Sequence, residues 1–142
     1  MRIAPLLAIG LAALGGFTGY SALRATPDAP AEVAGPQTMV EVILPATLSA
    51  KARLGQTAYE AKCAACHGPN GAGNLNAAPP LIHKIYEPGH HGDESFHRAA
   101  ADGVQAHHWR FGNMPPVAGI TRAEVASIIA FIREVQRANA IF

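Results

Sequence analysis

The chain has 142 residues, with 11 Lys and Arg against 10 Asp and Glu, so its formal net charge is +1. This length allows one domain with terminal extensions. A balanced charge, without a basic run or a stacking-aromatic pattern, argues against a nucleic-acid partner. From residue 49 onward, nine basic side chains stand against seven acidic ones. That excess is too small to indicate the charge of a protein partner.

The first 25 residues are dominated by an uncharged run of 21 residues at positions 3–23. A spanning helix needs about 20 apolar residues, whereas the apolar core of a signal peptide has about 7–15. We therefore interpret residues 1–25 as a signal peptide or N-terminal membrane anchor, and the length favours an uncleaved anchor. Four glycines within the run weaken its hydrophobicity and count against an anchor. Either interpretation predicts export.

Residues 26–48 are predicted to form a Pro- and Ala-rich linker, with prolines at positions 27, 30, 36 and 45. Residues 40–44 interrupt it with a β-branched run that is compatible with a short strand lying along the domain. An extended tether of this length suits a domain that moves between two membrane complexes, although an ordinary leader behind a signal peptide has the same composition. The folded domain is predicted to cover residues 49–142.

A helix is predicted over residues 51–60, and it leads into the motif Cys63-Ala64-Ala65-Cys66-His67, which holds both cysteines of the chain. Paired thiols at this spacing also occur in thioredoxin-like redox sites and in half zinc sites. Here no second cysteine pair completes a zinc site, and no βαβ pattern surrounds the motif. A histidine directly after the second cysteine is typical of covalent haem attachment. Cys63 and Cys66 are therefore the predicted thioether residues, and His67 is a predicted axial ligand of the iron.

Six further histidines lie between this motif and Met114, at positions 83, 90, 91, 97, 107 and 108. Three interpretations remain open. In the first, the histidines have no shared role beyond polarity at the surface and in the haem pocket. Alternatively, His90, His91 and His97 hold an accessory copper or zinc ion. In the third, one histidine replaces Met114, the second axial ligand predicted below, on the iron in some state of the protein.

The second axial ligand is predicted to be Met114, in the sequence Gly112-Asn113-Met114-Pro115-Pro116. A thioether sulfur is a soft ligand that raises the reduction potential of a haem. Glycine and two prolines indicate a stiff loop rather than a packed helix face, which disfavours a methionine that only fills the core.

The last predicted helix begins at Thr121, because Thr121 and Glu124 form a capping-box pattern. Apolar residues then recur at helical spacing and give one continuous stripe. Its members are Val125, Ile128, Ile129, Ile132 and Val135.

From about residue 50 to 142 the chain resembles a class I cytochrome c. The resemblance is carried, in order, by Gly55, Tyr59, the CAACH motif, Pro79-Pro80-Leu81, Met114 and Phe131. It implies an all-α cytochrome c fold, in which the N- and C-terminal helices cross around one covalently bound haem c. Gly55, Tyr59 and Phe131 match the residues of that crossing.

The resemblance also implies roles for residues around the haem. The carbonyl of Pro79 is expected to accept a hydrogen bond from His67 and so orient it. Trp109 and Arg110 match a region that often contacts the haem propionates.

The resemblance implies a one-electron carrier and not an enzyme, because His67 and Met114 together leave no open position on the iron. Its expected partners are an electron donor and a terminal oxidase or reductase, on the periplasmic side of a bacterial inner membrane. Two alternatives are a cytochrome subunit of a dehydrogenase or oxidase complex, and a haem whose methionine is displaced by ligands.

Overall fold

The computed structural model of the protein describes residues 37–142. This part contains four α-helices and two short 3₁₀ turns and no β-strand. The helices are α1 (Ala50–Lys62), α2 (Ala64–His67), α3 (Asp93–Asp102) and α4 (Arg122–Ala138), and the turns are Pro69–Gly71 and Lys84–Tyr86. The predicted all-α fold is therefore confirmed. The predicted signal or anchor at residues 1–25 lies outside the described residues.

Helix α1 packs across α4, and these two helices form the centre of the core. The α1 helix begins after Ser49, whose hydroxyl accepts a hydrogen bond from the Ala52 amide at 3.1 Å. At Gly55 the two backbones approach so closely that a β-carbon would lie 1.8 Å from the Ser127 carbonyl oxygen. The predicted place of Gly55 at the helix crossing is confirmed, since only a residue without a β-carbon fits there.

Helix α4 begins with the predicted capping box, in which Thr121 and Glu124 each satisfy a backbone amide of the other. All five predicted stripe residues of α4 are buried. Tyr59 of α1 and Phe131 of α4 are fully buried, and their ring centroids are 5.7 Å apart. The aromatic pair at the crossing is thus present as expected.

Residues 37–48, the described part of the predicted linker, lie along the domain. The amides of Met39 and Val40 both donate to the Ala72 carbonyl, at 3.0 and 3.1 Å. Ile43 exchanges two hydrogen bonds with the Asn139 side chain at 2.9 and 2.8 Å. These partners are a turn and a side chain, so residues 40–44 pair with no strand among the described residues and are irregular, without the short strand that their β-branched run allows.

Within residues 37–142, no helix has the length and apolar character needed to cross a membrane.

Candidate haem site

A cavity of about 620 Å³ lies beside α3 and the first half of α4. Its volume is within the range of about 300–1,000 Å³ that is usual for cofactor pockets. Both cysteines, His67 and Met114 line this one cavity. Residues that are up to 51 positions apart in the sequence therefore meet at one site.

The cysteine motif forms the junction between α1 and α2. Cys63 ends α1, and its own amide donates to the Tyr59 carbonyl at 2.8 Å. Cys63 is partly buried and Cys66 is exposed. Burial, with a smaller contribution from the Cys66 charge, raises the pKa of the Cys63 thiol to about 11. At neutral pH this thiol is therefore protonated, unlike the low-pKa cysteines of redox enzymes.

The imidazole of His67 is oriented through its Nδ1 atom, which lies 2.9 Å from the Pro79 carbonyl oxygen. A carbonyl oxygen only accepts hydrogen bonds, so Nδ1 carries the proton in this contact. The unprotonated Nε2 then has a free lone pair with which it can bind a metal ion. Burial lowers the pKa of His67, and the contact with Pro79 partly offsets that effect. A neutral imidazole with one ring nitrogen fixed by a carbonyl is the form that binds metal ions.

The loop that carries Met114 is tied to the end of α3. Val104 and Met114 form a bridge in which each amide donates to the other carbonyl at 2.9 Å. Gly103 has a φ of 79°, and a β-carbon there would lie 2.4 Å from the Met114 carbonyl oxygen. The Asn113 side chain accepts a hydrogen bond from the Ala106 amide at 2.9 Å. The sequence patterns do not predict these roles of Gly103, Val104 and Asn113, although the glycine after α3 is an ordinary helix-stop signal.

The two predicted propionate contacts differ in position. Trp109 lines the cavity, whereas Arg110 is exposed and lies outside the cavity lining. The Nε1 atom of Trp109 is buried without a hydrogen-bond partner in the described part of the chain. The indole lies beside the Tyr86 phenol, whose pKa is raised by burial, but the two do not meet hydrogen-bond geometry. A buried indole N–H beside a cavity needs an acceptor.

The residues present fit a haem. Two thiols, an imidazole nitrogen and a thioether sulfur are the groups that attach and ligate a c-type haem. Trp109 lines the same cavity, and its buried N–H has no partner in the described part of the chain; an indole N–H is a donor that a carboxylate accepts. Cys63 and Cys66 would hold the haem covalently, and the remaining lining is mostly apolar.

The loop between Leu81 and His91 is held by two polar side chains that sequence reasoning missed. Arg133 and Gln136 of α4 are both buried. The Arg133 guanidinium donates to the carbonyls of Tyr86 and His91 at 2.7 and 2.5 Å. The Gln136 amide donates to the carbonyls of Leu81 and Tyr86, both at 3.0 Å. This loop forms one wall of the cavity, so α4 positions it.

Four of the histidines also gather at the cavity, namely His90, His91, His107 and His108. Nitrogen atoms of His90, His91 and His108 all lie within 4.8 Å of one another. His97, which was grouped with His90 and His91 in the accessory-metal hypothesis, lies on α3 near Ile120 and Arg122 and is not a member of this group. No pattern in the sequence indicates that two separate loops bring the histidine pairs together.

The comparison with known proteins agrees with this geometry. None of the curated proteins is similar enough to the chain to count as a match. The sequence model of the family described as Cytochrome c matches residues 52–136, which is more than half of the chain. This range includes the haem-attachment motif, the Met114 loop and most of α1 and α4. The chain therefore belongs to the cytochrome c family, whose covalently attached haem c and haem-binding electron-transfer function it shares, and Cys63 and Cys66 fit the attachment motif of that family.

Proposed function

We propose that this protein is a one-electron carrier in which His67 and Met114 are the two axial ligands of the haem iron. One observation carries the proposal: the imidazole and the thioether line the same cavity as the two attachment thiols. Met114 is the methionine in that lining, whereas Met39 packs near Gly73, away from the cavity.

When bound, the haem supplies a ferric/ferrous couple that takes up and gives back one electron. The protein's part is to hold both ligands still while this charge changes. His67 is fixed through Pro79, and Met114 is fixed through its two-bond bridge with Val104. With both axial positions taken by protein atoms, no position remains for a substrate. This favours a carrier over an enzyme.

The absorption spectrum of the ferric holoprotein tests the ligand set. Methionine sulfur on ferric haem iron produces a weak far-red band, which we expect in the parent protein and not in Met114→Leu. Met39→Leu is the matched control and should keep the band, because the same substitution is then made away from the cavity. Leucine keeps most of the methionine volume, so both variants should fold. Loss of the band in Met39→Leu, or its survival in Met114→Leu, would refute the proposed ligand.

Carbon monoxide binding separates the carrier from a haem with a displaceable methionine. The ferrous parent protein should bind the gas slowly or not at all, because Met114 blocks the position. Met114→Leu should bind it rapidly, because leucine has no ligating atom. Rapid binding by the parent protein would favour a ligand-binding haem.

We further propose that the protein works on the periplasmic side of a bacterial inner membrane, between a donor complex and a terminal oxidase or reductase. The uncharged run at residues 3–23 supports export and membrane association. Fractionation of cells that express the full chain tests this: haem-containing protein is expected in membranes or periplasm.

Purification in mild detergent distinguishes a carrier, which elutes alone, from a subunit, which elutes with a stoichiometric partner.

A further inference from the structure

The histidines beside the cavity form a compact group of ring nitrogens supplied by two loops. His90 and His91 come from the loop before α3, and His108 comes from the segment before Met114. Their nearest ligand atoms all lie within 4.8 Å of one another. The Nε2 atoms of His90 and His108 are 3.4 Å apart. These residues are distinct from His67, Met114 and the two cysteines.

The spacing of these nitrogens suits a shared metal ion better than a hydrogen bond. Zn²⁺ binds histidine nitrogen at about 2.0–2.1 Å in tetrahedral geometry, which places two ligand nitrogens about 3.3 Å apart. The observed 3.4 Å agrees with that separation. It is longer than the roughly 2.7–3.2 Å of a good hydrogen bond from N–H. The third nitrogen lies within 4.8 Å of the other two, so a shift of at most about 1.5 Å completes the same geometry.

The loop of His90 and His91 is already held in a conformation in which His91 can act as a metal ligand. The Nδ1 atom of His91 lies 2.6 Å from the Ile85 carbonyl oxygen, so Nδ1 carries the proton and Nε2 is free to bind. The His91 carbonyl accepts a hydrogen bond from the buried Arg133. The charge of Arg133 is paired with Asp93 at 2.9 Å, which reduces its repulsion of a bound cation.

The segment of His108 is ordered independently. The Ala106 amide donates to the Asn113 side chain at 2.9 Å. His107 packs against His108 with ring centroids 4.2 Å apart. Because each loop is held by its own contacts, little ordering entropy remains to be lost when a metal ion joins them.

We propose that His90, His91 and His108 bind one divalent transition-metal ion of the kind that prefers imidazole, such as Zn²⁺, at a site separate from the haem iron. His90 and His108 are exposed, so water reaches the fourth coordination position. The site therefore joins the loop before α3 to the loop of Met114. This proposal does not depend on which residue is the second ligand of the haem iron.

Zinc titration of the haem-loaded full chain tests the site, after dialysis against a chelator and then against chelator-free buffer. Calorimetry should show one saturable Zn²⁺ site for each haem. His90→Ala and His108→Ala should each lower the affinity at least tenfold, which is the lower end of the loss seen even for outer-shell partners of metal ligands. His97→Ala is the matched control, because it removes a histidine outside the group, and it should bind as the parent does. No saturable site, or an equal loss in His97→Ala, would overturn the proposal.

A thermal melt and a haem spectrum make the test independent of calorimetry. Zn²⁺ should raise the unfolding midpoint of the parent and of His97→Ala but not of His108→Ala, because only a ligand that binds the folded state stabilises it. The haem spectrum of metal-free His108→Ala should equal that of the parent, which also shows that the variant folds. A changed haem spectrum in this variant would indicate that His108 acts on the iron, and it would overturn a separate site.

Discussion

The crossing of α1 and α4 at Gly55 allows a sharp test of what holds this domain together. In Gly55→Ala, the new methyl group would lie 1.8 Å from the Ser127 carbonyl oxygen and 2.4 Å from its carbon. Both atoms belong to the backbone of α4, so no side-chain rotation relieves the contact. The helices must move apart, and that movement disturbs the buried contact between Tyr59 and Phe131.

The expected loss follows from two opposing effects. Overpacking a core usually costs about 1–3 kcal/mol, and a backbone contact as short as 1.8 Å falls at the upper end. Replacing glycine by alanine inside a helix stabilises the helix by about 1 kcal/mol, because alanine has the higher helix propensity. We therefore expect the free energy of unfolding to fall by about 2 kcal/mol. In a domain of this size, that lowers the unfolding midpoint by about 10 °C.

Denaturant unfolding of the haem-loaded protein, followed by circular dichroism, measures this loss. Gly89→Ala is the matched control, because a β-carbon at Gly89 would meet no atom within 4 Å. We expect the control to be neutral or slightly stabilising, since alanine restricts the unfolded chain. If Gly55→Ala were as stable as Gly89→Ala, the close helix crossing would not be a determinant of stability.

Three further changes test other parts of the domain. Arg133→Met removes the donor of the His91 carbonyl and of the buried Gln136 side-chain oxygen, and it should reduce the free energy of unfolding by about 3 kcal/mol. The exposed Arg137→Met should change it by less than about 0.5 kcal/mol in the same denaturation assay. Cys66→Ala leaves one thioether, so intact mass spectrometry should show a reduced fraction of chains that carry haem. Tyr59→Phe removes the 2.7 Å hydrogen bond to the Gly68 carbonyl. It should lower the free energy of unfolding, measured in a thermal melt, by about 1 kcal/mol.

Features encoded over a few neighbouring residues were predictable from the sequence. The capping box at Thr121 and the apolar stripe of α4 depend on spacings of three and four residues, and the structure has both. The crossing at Gly55 was predictable from the resemblance and not from the spacing. A lone glycine in a helix does not show which backbone approaches it.

The polar contacts that position the cavity wall were missed because they join distant segments. Arg133 and Gln136 lie in helical register with Ile129 and Ile132, on the face that α4 buries. This register is a signal in the sequence, because charged or amide side chains on a buried stripe need partners inside the protein. The identity of the partners is not in the sequence pattern, since they are backbone carbonyls about 40–55 residues away. The meeting of His90 with His108 was missed for the same reason.

The burial of Arg133 follows from the large cavity that this short chain forms. Four helices do not enclose such a cavity, so loops form much of its wall. A loop against a core leaves backbone carbonyls that water cannot reach, and each of them needs a donor. Arg133 and Gln136 together supply donors to the carbonyls of Leu81, Tyr86 and His91. Apolar residues at these two positions would complete the stripe of α4, but they would leave the cavity wall without those hydrogen bonds. The two polar residues on the buried face of α4 are therefore explained by the loop that they hold and not by the packing of the helices.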